Sequence, residues 1–236
     1  MNPTNSTSAA PSHSLDNPAW EALTTLQAHF AEGDELAKRY PAAMFQIVAV
    51  REPSDDAFRS LVGLLGPGAV AGFFSAGSVD LPPAFQKLEE FDVRQMIFPN
   101  PPPEAEEDGV RKLTAEDVPE MLRLIEQTKP GPFGPRTYEM GTYLGIHHAG
   151  KLVAMAGERL RLTGFTEVSA VCTDPEHRGH GYASRLVSIL VRRIATRGET
   201  PFLHVRADND SAFRVYEKLG FETRRFVRIA IIRSAW

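Results

Sequence analysis

Apolar residues along this chain follow two spacings: one of about 3.6 residues, which predicts a helix, and one of about two, which predicts a strand. Both spacings occur across residues 17–99, separated by short polar stretches. The predicted elements there are helices at 20–30 and 55–65 and strands at 44–50, 70–74 and 91–98. This part therefore has a mixed α/β pattern, and we find no catalytic motif in it.

Residues 110–236 show a more regular pattern, which predicts the order β-α-α-β-β-β-α-β-α-β. The strongest helix lies at 182–197, and its apolar stripe is formed by Ala183, Leu186, Val187, Leu190 and Ile194. Gly198 ends this helix and Gly220 ends the next, at 209–219, because glycine readily adopts the left-handed conformation after a helix. The remaining predictions are a helix capped by Thr114, a weak helix at 137–143 and strands at 110–113, 144–148, 152–162, 167–173, 202–206 and 226–232. The fold class is therefore α/β with a mixed sheet.

Two stretches follow neither spacing and divide the chain. Residues 1–16 are rich in Ser, Thr, Asn and Pro, and their small apolar surface predicts a flexible tail. Residues 100–109 read NPPPEAEEDG, in which the consecutive prolines cannot continue a helix or a ladder and the carboxylates favour solvent. We therefore predict a linker at 100–109 between an N-terminal α/β domain at 17–99 and a C-terminal domain at 110–236.

Composition and charge restrict the class of protein. Hydrophobic residues make up 42% and charged residues 24% of the 236 residues, which is ordinary for a globular chain. The net charge of −4 provides no overall basic field for nucleic acid or acidic lipid, and no apolar run reaches the roughly 20 residues of a membrane helix. Cys172 is the single cysteine, and residues 1–16 lack the pattern of a secretory signal. We therefore expect a reducing, cytoplasmic location.

The most informative segment runs from Val171 to Ser184 and reads VCTDPEHRGHGYAS. A strand enters it, and a helix begins after Gly179 and Gly181. Glycines at a helix N-terminus let backbone N–H groups approach a phosphate, and Arg178 adds a cation. Three interpretations are open: a tight turn without a ligand, a dinucleotide-binding turn, and a pyrophosphate loop of the form R-x-x-G-x-A. The dinucleotide interpretation is the weakest, because the pattern is G-x-G-x-x-S and the strand does not run straight into the first glycine.

A second motif follows one strand later. The spacing N-x-x-A-x-x-x-Y-x-x-x-G-F is met by Asn209, Ala212, Tyr216, Gly220 and Phe221. With R-x-x-G-x-A before it, the chain over residues 110–236 resembles the GCN5-related N-acetyltransferase (GNAT) superfamily. Its plan, a motif-free α/β part before a transferase part, also resembles the glycine N-acyltransferase branch of that superfamily. One interpretation of the N-terminal part is then a degenerate copy of the same fold.

This resemblance implies a GNAT fold, an acyltransferase activity and acetyl-CoA as the acyl donor, with no metal. It implies that the turn holds the pyrophosphate mainly through backbone N–H groups and that the preceding strand edge pairs with the pantetheine amides. The residues that it assigns to the donor are Val171, Thr173, Arg178, Gly179, His180, Gly181, Tyr182, Ala183 and Asn209. Asn209 either contacts the pantetheine arm or caps its helix.

For the chemistry, the resemblance implies Tyr216 as the proton donor to the departing thiolate and Glu167 as the base for the amine, with Glu158 as a second candidate. Each has a structural alternative: Tyr216 as a core tyrosine, and Glu167 as a solvated or ion-paired strand residue. The implied acceptor is a small-molecule or peptide amine, with neither nucleic acid nor a membrane as partner, and a homodimer is left open. The alternative from another class is a non-catalytic acyl-CoA-binding or interaction module.

Overall fold

The computed structural model describes residues 13–75, 77, 80–100, 102, 104 and 106–235. Most of the predicted tail, residues 1–12, lies outside the described residues. The end of that tail differs from the prediction, because Ser14–Asp16 form a 3-10 turn and Leu15 is fully buried. Asp16 also binds Arg224 at 2.6 Å, so the chain enters the fold before residue 17.

Helices and strands alternate through the described part of the chain. The α-helices are α1 (Pro18–Thr24), α2 (Asp55–Leu65), α3 (Val118–Thr128), α4 (Tyr182–Thr196) and α5 (Asp210–Leu219). The strands are β1 (Glu32–Gly33), β2 (Ala37–Arg39), β3 (Ile47–Val50), β4 (Val70–Ser75), β5 (Phe85–Ile97), β6 (Val110–Lys112), β7 (Tyr143–His148), β8 (Lys151–Leu162), β9 (Phe165–Thr173), β10 (Thr200–Arg206) and β11 (Glu222–Ser234). The weak helix predicted at 137–143 is instead a 3-10 turn, Thr137–Met140, that leads into β7. None of the described helices is both long and apolar enough to cross a bilayer.

The described strands join in one sheet, in the order β1-β2-β3-β4-β11-β5-β10-β9-β8-β7-β6. Two neighbouring pairs, β3 with β4 and β9 with β10, run parallel, and the other pairs are antiparallel. The predicted α/β class with a mixed sheet is therefore confirmed. Strand β5, from the N-terminal part, lies between β10 and β11, from the C-terminal part. The two predicted parts thus share one sheet, and the boundary at 100–109 stays a prediction.

Alternating residues of β8 show that the sheet has a buried core on each face. Ala154 and Ala156 pack in a cluster with α4 and α5, whereas Met155 between them packs in a cluster with α3. All three are buried, as expected when successive side chains of a strand point to opposite faces. The sheet therefore separates an α4/α5 face from an α3 face.

Local sequence determines the ends of α4 and α5, as predicted. Gly198 and Gly220, which follow α4 and α5, have φ angles of 77° and 104°, in the left-handed region that favours glycine. At the start of α5, the side chain of Asn209 accepts a hydrogen bond of 3.0 Å from the N–H of Ala212. Asn209 is therefore a helix cap, one of the two roles that the sequence left open.

The segment before β6 lies against α4. Arg185 donates to the backbone carbonyl oxygens of Glu106, at 3.0 Å, and Asp108. Arg193 forms an ion pair of 2.6 Å with the carboxylate of Glu107. One carboxylate that was expected to favour solvent and two backbone carbonyls thus fasten part of the predicted linker to α4.

We expect limited proteolysis to cut first within residues 100–109 and to leave the two fragments associated. Their association follows from β5, which stays hydrogen-bonded to β10 on one side and to β11 on the other. Gel filtration of the cut protein in native buffer should give one peak that contains both fragments, and concentrated urea should separate them. Two separate native peaks would contradict the shared sheet, and a first cut within residues 150–230 would contradict the linker.

Candidate active site

Strands β9 and β10 run side by side only at their beginnings. They pair over residues 165–167 of β9, and Phe202 is the last residue of β10 in this pairing. Beyond that point the described strands continue without pairing to each other, so the two backbones part. A bulge in β9 at Ala170, with a φ of 52°, lies at this opening. Val171 and Thr173, farther along β9, are half-buried, and the strand edge there suits an extended ligand with amide groups.

The turn from β9 into α4 is held by a buried carboxylate and contains two glycines. The side chain of Asp174 is fully buried and accepts hydrogen bonds from Lys151, at 3.0 Å, and from the N–H of Glu176, at 3.1 Å. Gly179 and Gly181 have φ angles of 83° and 75°, and a Cβ at either position would meet no described atom within 4 Å. The open backbone at the start of α4 therefore suits an anion.

The other predicted residues of the turn surround this backbone. Arg178 and His180 are exposed, while Tyr182 and Ala183 are half-buried in the first turn of α4. His180 Nδ1 donates to the carbonyl oxygens of His177 and Arg178, both at 3.1 Å. Its ring stacks on Tyr182, with the centroids 5.5 Å apart. The turn thus brings together a cation, two aromatic rings and a helix N-terminus beside the open edge of β9.

Tyr216 lies on α5, on the α4/α5 face of the sheet, with 8% of its surface exposed. Burial raises the pKa of its hydroxyl far above the usual range, and the nearby Cys172 of β9 adds to this rise. The hydroxyl is therefore protonated at neutral pH, as a proton donor must be. Burial also raises the pKa of the Cys172 thiol, to about 11, so this cysteine is a poor nucleophile at neutral pH.

Glu167 is fully buried on the face opposite α4, where two residues give its carboxylate three hydrogen bonds. Its carboxylate accepts hydrogen bonds from Arg159 at 2.7 and 2.8 Å, and from His204 Nδ1 at 2.8 Å. The Arg159 guanidinium lies 4.4 Å from the ring centroid of Phe45. Burial acts to raise the pKa of Glu167, but the charge and hydrogen bonds of Arg159 and then the hydrogen bond from His204 lower it to about 2. This geometry supports the ion-paired alternative for Glu167 over the base.

Glu158 is likewise paired. Its carboxylate binds Arg197 at 2.9 Å and accepts a 3.3 Å hydrogen bond from the N–H of Thr142. The partners of both candidate bases were missing from the sequence analysis. Arg159 and His204 lie on β8 and β10, on either side of Glu167, and no local spacing in the sequence indicates that the three meet.

Histidines near the turn do not form a metal centre. The rings of His148 and His177 lie 5.2 Å apart between centroids, and His147 lies 3.5 Å from Glu120. Within the described ranges, no group of three or more His, Cys, Asp or Glu side chains is placed to hold a metal ion.

Comparison with known proteins gives one family model and a set of curated relatives. The model described as FR47-like protein matches residues 143–229, from β7 into β11. N-alpha-acetyltransferase RimI of Mycobacterium tuberculosis is 37% identical over 95 residues, which are 37% of this chain and 59% of RimI. An acetyltransferase of Yersinia pestis is 44% identical over 52 residues, 21% of this chain and 36% of that protein. The chain therefore spans less than two thirds of either relative.

Solved structures match more of the chain. An acetyltransferase of the GNAT family from Novosphingobium aromaticivorans superposes with a TM-score of 0.89 and 35% identity, over 95% of this chain and 100% of that one. A GCN5-related N-acetyltransferase from Kribbella flavida has a TM-score of 0.61 and 15% identity, over 92% and 94% of the two chains. The similarity to the Kribbella flavida protein shows the fold alone. The similarity to the Novosphingobium aromaticivorans protein also includes the sequence, over the N-terminal and the C-terminal part of this chain.

We expect Glu167→Gln to lower the free energy of unfolding at pH 7 by about 3 kcal/mol, because it leaves the buried charge of Arg159 without a carboxylate. The exposed pair of Glu89 with Arg206, at 3.2 Å, provides the control. Glu89→Gln should cost less than about 1 kcal/mol in the same urea titration.

The same pair predicts a pH dependence of stability. A carboxylate with a lowered pKa in the fold stabilises it above the ordinary value, 4.5, and this stabilisation is lost as the pH falls toward about 2. The difference in unfolding free energy between the wild type and Glu167→Gln should therefore shrink from pH 4.5 downward. A Glu167→Gln protein as stable as the wild type at pH 7 would contradict the structural role.

Proposed function

This chain belongs to the GNAT family of acetyltransferases, and we propose that it transfers the acetyl group of acetyl-CoA directly to a primary amine. The observation that carries the proposal is the opening between β9 and β10, beside a helix N-terminus with two left-handed glycines, Gly179 and Gly181. A strand edge and an anion site in one groove match the amide groups and the pyrophosphate of CoA.

In this proposal the donor lies along β9 and over the turn. The backbone at Val171 and Thr173 pairs with the pantetheine amides, and the N–H groups from Gly179 to Ala183 hold the pyrophosphate. Arg178 and His180 add side chains to the same surface, and both are exposed toward solvent. Asn209 acts through its cap, which positions the first turn of α5.

The proposed reaction is a single displacement at the thioester. The amine nitrogen attacks the acetyl carbon, the C–N bond forms and the C–S bond breaks. The hydroxyl of Tyr216 gives its proton to the departing thiolate and regains one from solvent, while an N–H of β9 polarises the carbonyl oxygen. Holding both reactants in one groove lowers the entropic part of the barrier.

In this proposal, water accepts the proton that the acceptor amine loses. Arg159 and His204 lower the pKa of Glu167 to about 2, which makes it a weak base, and the carboxylate of Glu158 is held by Arg197. Arg159 and Glu167 then act as a rigid, electrically balanced support next to the opening. This assignment replaces the base that the family resemblance implied.

Other features of the proposal are the donor, the location and the branch of the family. Acetyl-CoA is the donor, and the single cysteine, Cys172, supports a reducing compartment such as the cytoplasm. The likeness to the glycine N-acyltransferase branch is supported by an N-terminal part that shares the sheet through β5. The acceptor is a small-molecule or peptide amine, and a homodimer stays open.

Release of the CoA thiol from acetyl-CoA, measured with phenethylamine, glycine and a short alanine-initiated peptide, tests the activity. Steady release with at least one amine is the expected result. Binding of CoA without release of the thiol from acetyl-CoA would favour the non-catalytic module. Faster release of the thiol from a longer acyl-CoA would identify that acyl-CoA as the donor.

We expect Gly181→Val to weaken acetyl-CoA binding roughly 10- to 100-fold, the size of one or two lost hydrogen bonds to a charged group. Valine is strained at a φ of 75°, and its side chain would project into the open space over the turn. Gly198→Val is the matched control, because Gly198 has a φ of 77° and open space but lies at the other end of α4. If calorimetry shows that a folded Gly181→Val protein binds acetyl-CoA with the wild-type affinity, the turn is not part of the donor site.

We expect Tyr216→Phe to lower kcat roughly 10²- to 10⁴-fold, the usual scale for a positioned proton donor. The KM for acetyl-CoA should change little, because the ring keeps its place in the core. The melting temperature of Tyr216→Phe distinguishes the two roles of Tyr216. An unchanged melting temperature with a low kcat indicates a proton donor, and a lowered melting temperature indicates a core tyrosine. A wild-type kcat at every pH, with chemistry limiting the rate, would exclude the proton donor.

A further inference from the structure

A second tyrosine at the opening has a hydroxyl that no described residue binds. Tyr143 is the first residue of β7 and is 1% exposed. Its hydroxyl is buried, yet it has no hydrogen-bond partner among the described residues. Buried polar groups are paired in the great majority of cases, because an unmade hydrogen bond costs free energy, and an exception calls for an explanation.

The ring of Tyr143 is held in place by its neighbours. It lies over Gly157 of β8, where a Cβ would come within 2.2 Å of a ring carbon. Phe133 also contacts the ring in an edge-on arrangement, with the centroids 5.5 Å apart. Since Gly157 makes the room for the ring and Phe133 limits its movement, the hydroxyl has a defined position.

That position is next to the place where β9 and β10 part. Tyr143 is opposite Gly157, and Gly157 is opposite Ser169, so the three form a row across β7, β8 and β9. Ser169 adjoins the bulge at Ala170 and follows Glu167, the last paired residue of β9, by two positions. The ring leans over Gly157 toward this part of β9.

The two tyrosines of the site occupy opposite faces of the sheet. Tyr143 packs with Met121 and Leu124 on the α3 face, whereas Tyr216 packs with residues of α4 on the α4/α5 face. In the proposed reaction, the thiolate leaves on the side of Tyr216. The amine adds to one face of the planar acyl group, and in this arrangement the α3 face, where Tyr143 lies, is left for its approach.

The surroundings of the Tyr143 hydroxyl determine which hydrogen bond it can make. Burial raises its pKa above the usual range, Arg159 opposes this rise, and Glu167 and Glu158 add to it. The hydroxyl is therefore a neutral phenol at pH 7 and is not a base. Both nearby carboxylates are paired with arginines, whereas the oxygen of Tyr143 still has free lone pairs.

We propose that the hydroxyl of Tyr143 accepts a hydrogen bond from the acceptor amine and aims the nitrogen lone pair at the acetyl carbon. This inference rests on the proposed acetyl transfer. The amine reaches the hydroxyl past Phe133, which is half-buried in the segment 129–136, a segment without helix or strand. Such a segment opens at a lower free-energy cost than the strands beneath it.

Tyr143→Phe removes the hydroxyl and keeps the ring. With the amine of the panel that reacts fastest, we expect kcat/KM for the amine to fall roughly tenfold, the scale of one neutral hydrogen bond. The affinity for CoA by calorimetry should equal that of the wild type. The melting temperature should stay the same or rise, because the lost hydroxyl had no partner among the described residues.

Tyr40→Phe is the matched control, because Tyr40 is also 1% exposed but its hydroxyl donates to Gln27 at 2.6 Å. It should lower the melting temperature and leave kcat/KM for the amine nearly unchanged. An unchanged kcat/KM in Tyr143→Phe, or a loss that accompanies a lowered melting temperature, would overturn the inference and leave the proposed function standing. A wild-type protein that acetylates no amine of the panel would overturn both.

Discussion

The pairing of β5 with β10 is the constraint on which the proposed active site depends. Where β9 leaves β10, at Phe202, β5 pairs with the other side of β10 from Phe202 to Arg206. Without β5, this part of β10 would lack a strand partner on either side, and the width of the opening would be undefined. Strand β5 is itself paired with β11, and β11 with β4. The N-terminal part therefore supports the groove in which we propose that the reaction takes place.

A chain of polar side chains crosses the same strands on the face opposite α4. Glu167 is bound by His204 Nδ1, and His204 Nε2 lies 3.1 Å from the amide nitrogen of Gln95. That nitrogen also donates to the carbonyl oxygen of Leu15, and the amide oxygen of Gln95 accepts from Arg224. The orientation of the amide is thus set by two partners, so His204 accepts at Nε2 and its proton lies on Nδ1. One tautomer of His204 therefore helps to keep Glu167 ionised and in place.

These arrangements cost stability at the site, and the rest of the fold compensates for it. The edge of β9 beyond Glu167 is left without β10, no described residue binds the hydroxyl of Tyr143, and two charges, Arg159 and Glu167, are buried. Deviations of this kind are typical of functional sites, because an interaction kept free for a substrate cannot also stabilise the fold. The buried cores on both faces of the sheet supply the compensation.

The sequence by itself determined the features that depend on a few neighbouring residues. Gly179 and Gly181 adopt the left-handed conformations that the turn needs, Asn209 caps its helix, and their motifs identified the family. Tertiary structure decided what Glu167 does, because its partners Arg159 and His204 are 8 and 37 residues away. It also decided the place of β5, which no local pattern indicates, and the burial of the Tyr143 hydroxyl without a partner among the described residues. Backbone conformation and capping follow from local sterics, whereas ionisation, burial and strand neighbours depend on groups that only folding brings together.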